Sequence, residues 1–189
     1  MDGSNYLLGL FVIITGLAVA DIVVSLHNIL LNRSVVRWDW LALLAAIFIF
    51  LLIIVSWGLS FRSWHQSDSN PTIWAFILTL GQIIPLYLAA RASLPDELPS
   101  DGVDLAAHYA HVSRYFWSAI AITYGLYLAV VIFSHPITMD VVRARSNGTA
   151  QFILMLVLIA FQQRRVHQIV VPIMMVLFVF DHLTGRLLG

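Results

Sequence analysis

Four stretches of this chain stay largely apolar for about twenty residues or more, and that feature decides most of what the chain can become. A hydrocarbon core about 30 Å thick is crossed by roughly 20 helical residues at 1.5 Å each. Residues 6–31, 40–61, 72–92 and 115–134 all meet that length. A membrane β-strand would instead alternate apolar and polar over about ten residues, whereas residues 45–55 are apolar at every position. The pattern predicts an all-α fold, a polytopic transmembrane helix bundle that forms a single domain over residues 1–189. Composition agrees: 60% of the 189 residues are hydrophobic and 11% charged, against about 45–50% and about 25% in a soluble domain. Lipid is the solvent such a surface needs.

Two further apolar runs, 149–161 and 169–180, would span only about 18–20 Å each as helices. Between them lies Gln162-Gln163-Arg164-Arg165-Val166-His167-Gln168, which cannot rest in hydrocarbon without a penalty of several kcal/mol. Six helices are the favoured count; the alternative treats the last two as a short helical hairpin buried against four long spans. Polar helical residues at or beyond the ends of the apolar runs, including Gln151 and Asp181, would lengthen each segment. Arg164 and Arg165 are then expected at the membrane surface on the side of Arg33.

Between the spans lie residues 32–34, residues 67–71 and the longest connection, 93–113. The last holds Asp96, Glu97, Asp101 and Asp104 and ends in an aromatic stretch with His108 and His111, so a short interfacial helix is expected there. Arginines on alternate connections number six (Arg33, Arg37, Arg91, Arg114, Arg164, Arg165) and four (Arg62, Arg143, Arg145, Arg186). The positive-inside rule then puts the N-terminus outside. Trp38 and Trp40 at one end of the second span, with Trp57 and Trp64 towards the other, fit interfacial anchors.

Residue types exclude several chemistries. The chain has no cysteine and so no disulfide, thiolate metal site or thiol nucleophile. All ten basic residues are arginine, which removes retinal and pyridoxal Schiff bases. Ten acidic residues balance them, so no global field points to nucleic acid. The first residues lack the basic region of a signal peptide, so the first helix is expected in the mature protein. There is no GxSxG, HExxH, Walker loop, GxGxxG or pair of carboxylates in an apolar span.

Polar chemistry enters the membrane mainly in the first helix. At 100° per residue, Gly9, Gly16, Ala20 and His27 form one stripe, read as a helix-packing seam that ends in an imidazole. Asp21, Ser25 and Asn28 form a second stripe roughly 100° around. An ionised aspartate in lipid costs at least a few kcal/mol, so Asp21 should face another helix or water. It reads either as part of a proton or ion relay or as a buried hydrogen bond that orients helices. His27 reads as a haem ligand, a protonatable switch or a polar residue on a packing seam. A bis-histidine haem would need His108, His111 or His182 at similar depth. In the third span Pro85 frees a backbone carbonyl beside Gln82, and Gln82 is the expected partner for Asp21, Ser25 and Asn28 if the chain conducts. Ala121, Gly125 and Ala129 in the fourth span permit close helix approach.

The run from Gly16 to Asp21, followed by Leu26-His27 and Arg33, the segment from Pro85 to Ala90 with Pro95 downstream, and Tyr115-Phe116-Trp117 together resemble an uncharacterised family of small proteobacterial polytopic inner-membrane proteins. The likeness covers about the first 130 residues. It implies a bacterial helical membrane protein and no activity. The expectation is therefore a non-enzymatic protein without cofactor or metal, in contact with membrane lipids, as a homo-oligomer or in a larger complex. It would be either a small channel or transporter-like bundle or an accessory subunit. The alternative is a haem-binding redox subunit using His27.

Overall fold

A computed structural model describes residues 3–65, 72–97, 99, 102–134 and 139–184. Among these the chain forms six helices and one two-stranded sheet: α1 (Gly3–Leu31), β1 (Val36–Arg37), α2 (Trp40–His65), α3 (Ile73–Ala92), β2 (Val103–Asp104), α4 (Leu105–Ser134), α5 (Met139–Ala160) and α6 (Arg164–Thr184). The all-α bundle expected from the apolar runs is what forms. By length and composition three helical segments can cross a membrane, Leu8–Leu31, Trp40–Phe61 and Arg164–His182, and Phe76–Ala92 and Ser146–Ala160 are shorter apolar helices. The expected loop at 67–71 and Arg186 fall outside the described residues.

Local chemistry sets the helix ends. Asp39 caps α2, its Oδ1 accepting from the Ala42 amide at 3.0 Å. Asp104 does the same for α4, accepting from the amides of Ala106 and Ala107 at 2.8 and 3.1 Å. Both carboxylates satisfy amides that a helix start leaves without partners. The Asp104 cap also corrects one expectation. Among the described residues no separate interfacial helix lies in 93–113; residues 105–113 are the first turns of α4, since no Gly or Pro interrupts the chain between Leu105 and Tyr124.

α2 lies at the centre and packs against α1, α3, α4 and α6, while α4 joins α3 to α5. Its alanines Ala42, Ala45 and Ala46 let neighbours approach, and Phe48, Ile49 and Ile53 fill the middle. Phe48 meets Trp117 of α4 at 5.8 Å and Phe178 of α6 at 5.4 Å between ring centres. Trp38, Trp40 and Trp57 stay exposed, as interfacial anchors do.

The tail forms two antiparallel helices, each longer than its apolar run. α5 begins ten residues before the run at 149, and α6 takes in Arg164 and Asp181. Asn147 Nδ2 donates to Asp181 Oδ1 at 3.1 Å, so the polar residues that lengthen the two helices satisfy each other.

Over one end of the bundle the chain between α3 and α4 is tied to the first connection. β1 and β2 pair in parallel, Val36 with Val103 and Arg37 with Asp104. Gly102 makes the turn with φ +93°, and a Cβ there would come within 2.3 Å of the Val35 carbonyl oxygen. Only glycine fits both the backbone conformation and that approach.

Candidate functional site

Charged and hydrogen-bonding side chains gather at the end of the bundle that carries the β pair. Arg91, in the last turn of α3, lies between two carboxylates: its Nη1 is 3.7 Å from Asp21 Oδ2 and its Nη2 is 3.3 Å from Asp96 Oδ2. Ser25, buried on α1 one turn beyond Asp21, donates its hydroxyl to Asp96 Oδ1 at 3.2 Å. One arginine thus serves an aspartate from the first span and another from the loop after α3. The Asp21 side chain keeps 30% exposure and Arg91 54%. Asp21 Oδ2 itself is cut off from solvent and accepts no hydrogen bond; at 3.7 Å its contact with Arg91 is an ion pair without one.

Sequence reasoning placed Asp21 and Ser25 together and missed both partners. Asn28 stands apart from the cluster, its carbonyl accepting from the Asn32 amide nitrogens at 3.2 and 2.9 Å to close α1. Gln82 is not the partner of Asp21 either. It lies nine residues before Arg91 on α3, about 13 Å along the helix, and its backbone carbonyl accepts from the Thr123 hydroxyl of α4 at 2.9 Å. The backbone next to the Pro85 break is therefore satisfied by packing against α4.

The small-residue stripe of α1 is a second correction. Gly9, Gly16, Ala20 and His27 all face outwards, and nothing lies within 4 Å of a Cβ built at Gly9 or Gly16. The helix is oriented by its larger groups, because Phe11, Ala18, Ile22, Ser25 and Ile29 are buried on another face. The seam within the chain lies there, and His27 is exposed rather than held in a helix contact among the described residues. Among the other histidines, His108 and His182 each commit a ring nitrogen to a backbone carbonyl, Ala92 at 3.2 Å and Phe178 at 2.8 Å. Burial is the main cause that holds the His108 pKa below its ordinary value, with His111 adding to it. No group of three or more His, Asp or Glu side chains among the described residues is arranged for a metal. The α4 stripe does pack within the chain: Ala121 is buried, Ala129 half-buried, and a Cβ at Gly125 would touch the Phe152 ring of α5 at 3.4 Å.

Two further polar assemblies sit at the same end. Arg164 of α6 pairs with the buried Asp39 at the start of α2. Beside it, Trp117 Nε1 donates to Tyr109 Oη at 3.0 Å, and Tyr109 Oη lies 2.7 Å from His167 Nδ1. His167 Nε2 lies 3.1 Å from the Phe161 carbonyl. A carbonyl only accepts, so Nε2 carries the proton, Nδ1 accepts, and the tyrosine hydroxyl donates. Burial raises the Tyr109 pKa, so it stays a phenol. Ser113 Oγ donates to Gln162 Oε1 at 2.7 Å, joining α4 to the α5–α6 link. Deeper in the bundle, the Tyr124 hydroxyl donates to the buried Gln151 at 2.8 Å. In the sequence these groups show only as polar and aromatic residues within or next to the apolar runs.

No family model matches the chain, and neither a curated protein nor a solved structure matches it.

Proposed function

We propose that this chain is a non-enzymatic, multi-pass protein of a bacterial inner membrane that serves as an accessory subunit, its first helix packing against a second copy or another chain of a larger membrane complex. The observation that carries this reading is the outward face of α1. Gly9, Gly16 and Ala20 offer a backbone to close approach, His27 adds a polar group at the end of the stripe, and nothing among the described residues covers them.

A small channel or transporter-like bundle is the second reading, favoured by Asp21 within the first span. Against it, Asp21 and Ser25 close onto Arg91 and Asp96, while Phe48, Phe116, Trp117 and Ile53 fill the middle of the bundle. The resemblance of the first 130 residues to small proteobacterial membrane proteins supports the compartment and is silent on activity.

Native mass spectrometry from mild detergent tests the proposal. A mass above the monomer is expected, reduced towards monomer by Gly16→Leu and kept by His27→Gln. A monomeric wild type, or a Gly16→Leu protein that assembles unchanged, refutes it.

A further inference from the structure

The last turn of α3 passes directly into a short segment that reaches α1. Ser93 folds back on α3, its hydroxyl donating to the Ala90 carbonyl at 2.7 Å. Leu94 is 3% exposed, and Pro95 is buried with it. The fixed φ of a proline limits the swing of the residue that follows. That residue is Asp96, whose Oδ1 accepts from Ser25 of α1 and whose Oδ2 faces Arg91. A second tie lies further along the same connection, where β2 pairs with β1 without Arg91.

Two carboxylates face one guanidinium, and they are served unequally. Asp96 lies 3.3 Å from Nη2 and also holds the Ser25 hydroxyl, whereas Asp21 lies 3.7 Å from Nη1 and its solvent-excluded Oδ2 accepts no hydrogen bond. A buried acceptor without a donor is unfavourable. A movement of Arg91 towards Asp21 relieves that oxygen and loosens Asp96. Tyr87, one turn earlier on α3, hydrogen-bonds the same guanidinium, which keeps Arg91 within reach of both carboxylates. Both ion pairs are partly exposed, so solvent screens each of them and the difference between the two arrangements is small.

We propose that residues 93–97 form a strap held on α1 by the division of Arg91 between two carboxylates, Asp96 fastening it and Asp21 drawing the guanidinium away to release it. In the released state Arg91 pairs with Asp21, and Ser25 and Leu94 become accessible, while the β1–β2 pair keeps the far end of the connection in place. Local opening of this kind is a shift of population between two states. Neutralising either carboxylate moves it, and the two move it in opposite directions. A purely structural cluster would loosen whichever carboxylate were lost.

The chain has no cysteine, so a single Leu94→Cys reports the opening through its rate of reaction with a maleimide, measured on the purified full chain in detergent. Adding Asp96→Asn is expected to raise that rate about two- to fivefold, the range of a partly exposed ion pair. Adding Asp21→Asn is expected to lower it by a similar factor. Ala89→Cys, on α3 and 0% exposed, is the control and should stay unreactive in both backgrounds. A faster reaction with both substitutions, or no change with either, overturns the competition for Arg91. A rise at residue 94 that is matched at residue 89 is opening of the whole bundle and overturns the strap.

Discussion

Asp21 shows what a single residue in an apolar run can and cannot disclose. The cost of an ionised carboxylate in lipid required a partner, and Arg91 supplies it at 3.7 Å. Which residue that would be was hidden, because Arg91 and Asp96 lie some seventy residues away in sequence and only helix packing brings them together. The stripe of Gly9, Gly16, Ala20 and His27 pointed to the wrong neighbour for a related reason: small residues suit a helix contact within the chain and one with another chain alike, and within this chain α1 packs by Phe11, Ala18, Ile22, Ser25 and Ile29 instead. The shared arginine makes the two sides of the Asp21 pair unequal. Removing the guanidinium leaves Asp96 and the solvent-excluded Asp21 oxygen uncompensated, whereas neutralising Asp21 leaves Arg91 with Asp96 and water. Arg91→Gln is expected to be the more destabilising of the two changes. Asp21→Asn should cost under about 1 kcal/mol, since the pair is partly exposed and screened. Thermal unfolding in detergent ranks the two; a greater loss for Asp21→Asn would contradict this division.

At the scale of helices, the apolar runs located the elements and local chemistry set their ends. Asp39 immediately before Trp40, and Asp104 immediately before Leu105, are aspartates in cap position. The start of α5 was not legible in hydropathy, because the helix begins at Met139, ten residues ahead of its apolar run. Nor was the docking of α6, which depends on Tyr109, Trp117 and His167 meeting across helices. In that chain of hydrogen bonds Tyr109 is the link that both donates and accepts. Tyr109→Phe keeps the ring but leaves the Trp117 N–H without its acceptor and His167 Nδ1 without its donor. A buried polar group left unsatisfied costs about 1–3 kcal/mol, so a destabilisation in that range or above is expected. Adding His167→Leu should recover part of it by removing one stranded group. Denaturant or thermal unfolding of the single and double variants checks this, and strict additivity of the two losses would rule out the link.

For the molecule as a whole, the polar end lies on one side. Asp39 at the start of α2 meets Arg164 at the start of α6, and Tyr109 near the start of α4 meets His167 near the start of α6. The even-numbered helices therefore begin at the same end, as alternating crossings require, and four helices separate Arg33 from Arg165. The positive-inside rule counts basic residues, whether or not they are paired, and that end carries six arginines against four. It should face the cytoplasm. The absence of cysteine makes the test direct. Arg33→Cys and Arg165→Cys each remove an exposed arginine that holds no ion pair among the described residues, so neither should disturb the bundle. Both are expected to react with a membrane-impermeant thiol reagent in inside-out vesicles and to be protected in right-side-out vesicles. Ile73→Cys, one crossing away at the exposed start of α3, should show the reverse. If residues 33 and 165 react from opposite faces, an odd number of crossings separates them and the alternating arrangement fails. If they react together from outside, the arrangement stands and the two-arginine excess does not set its orientation.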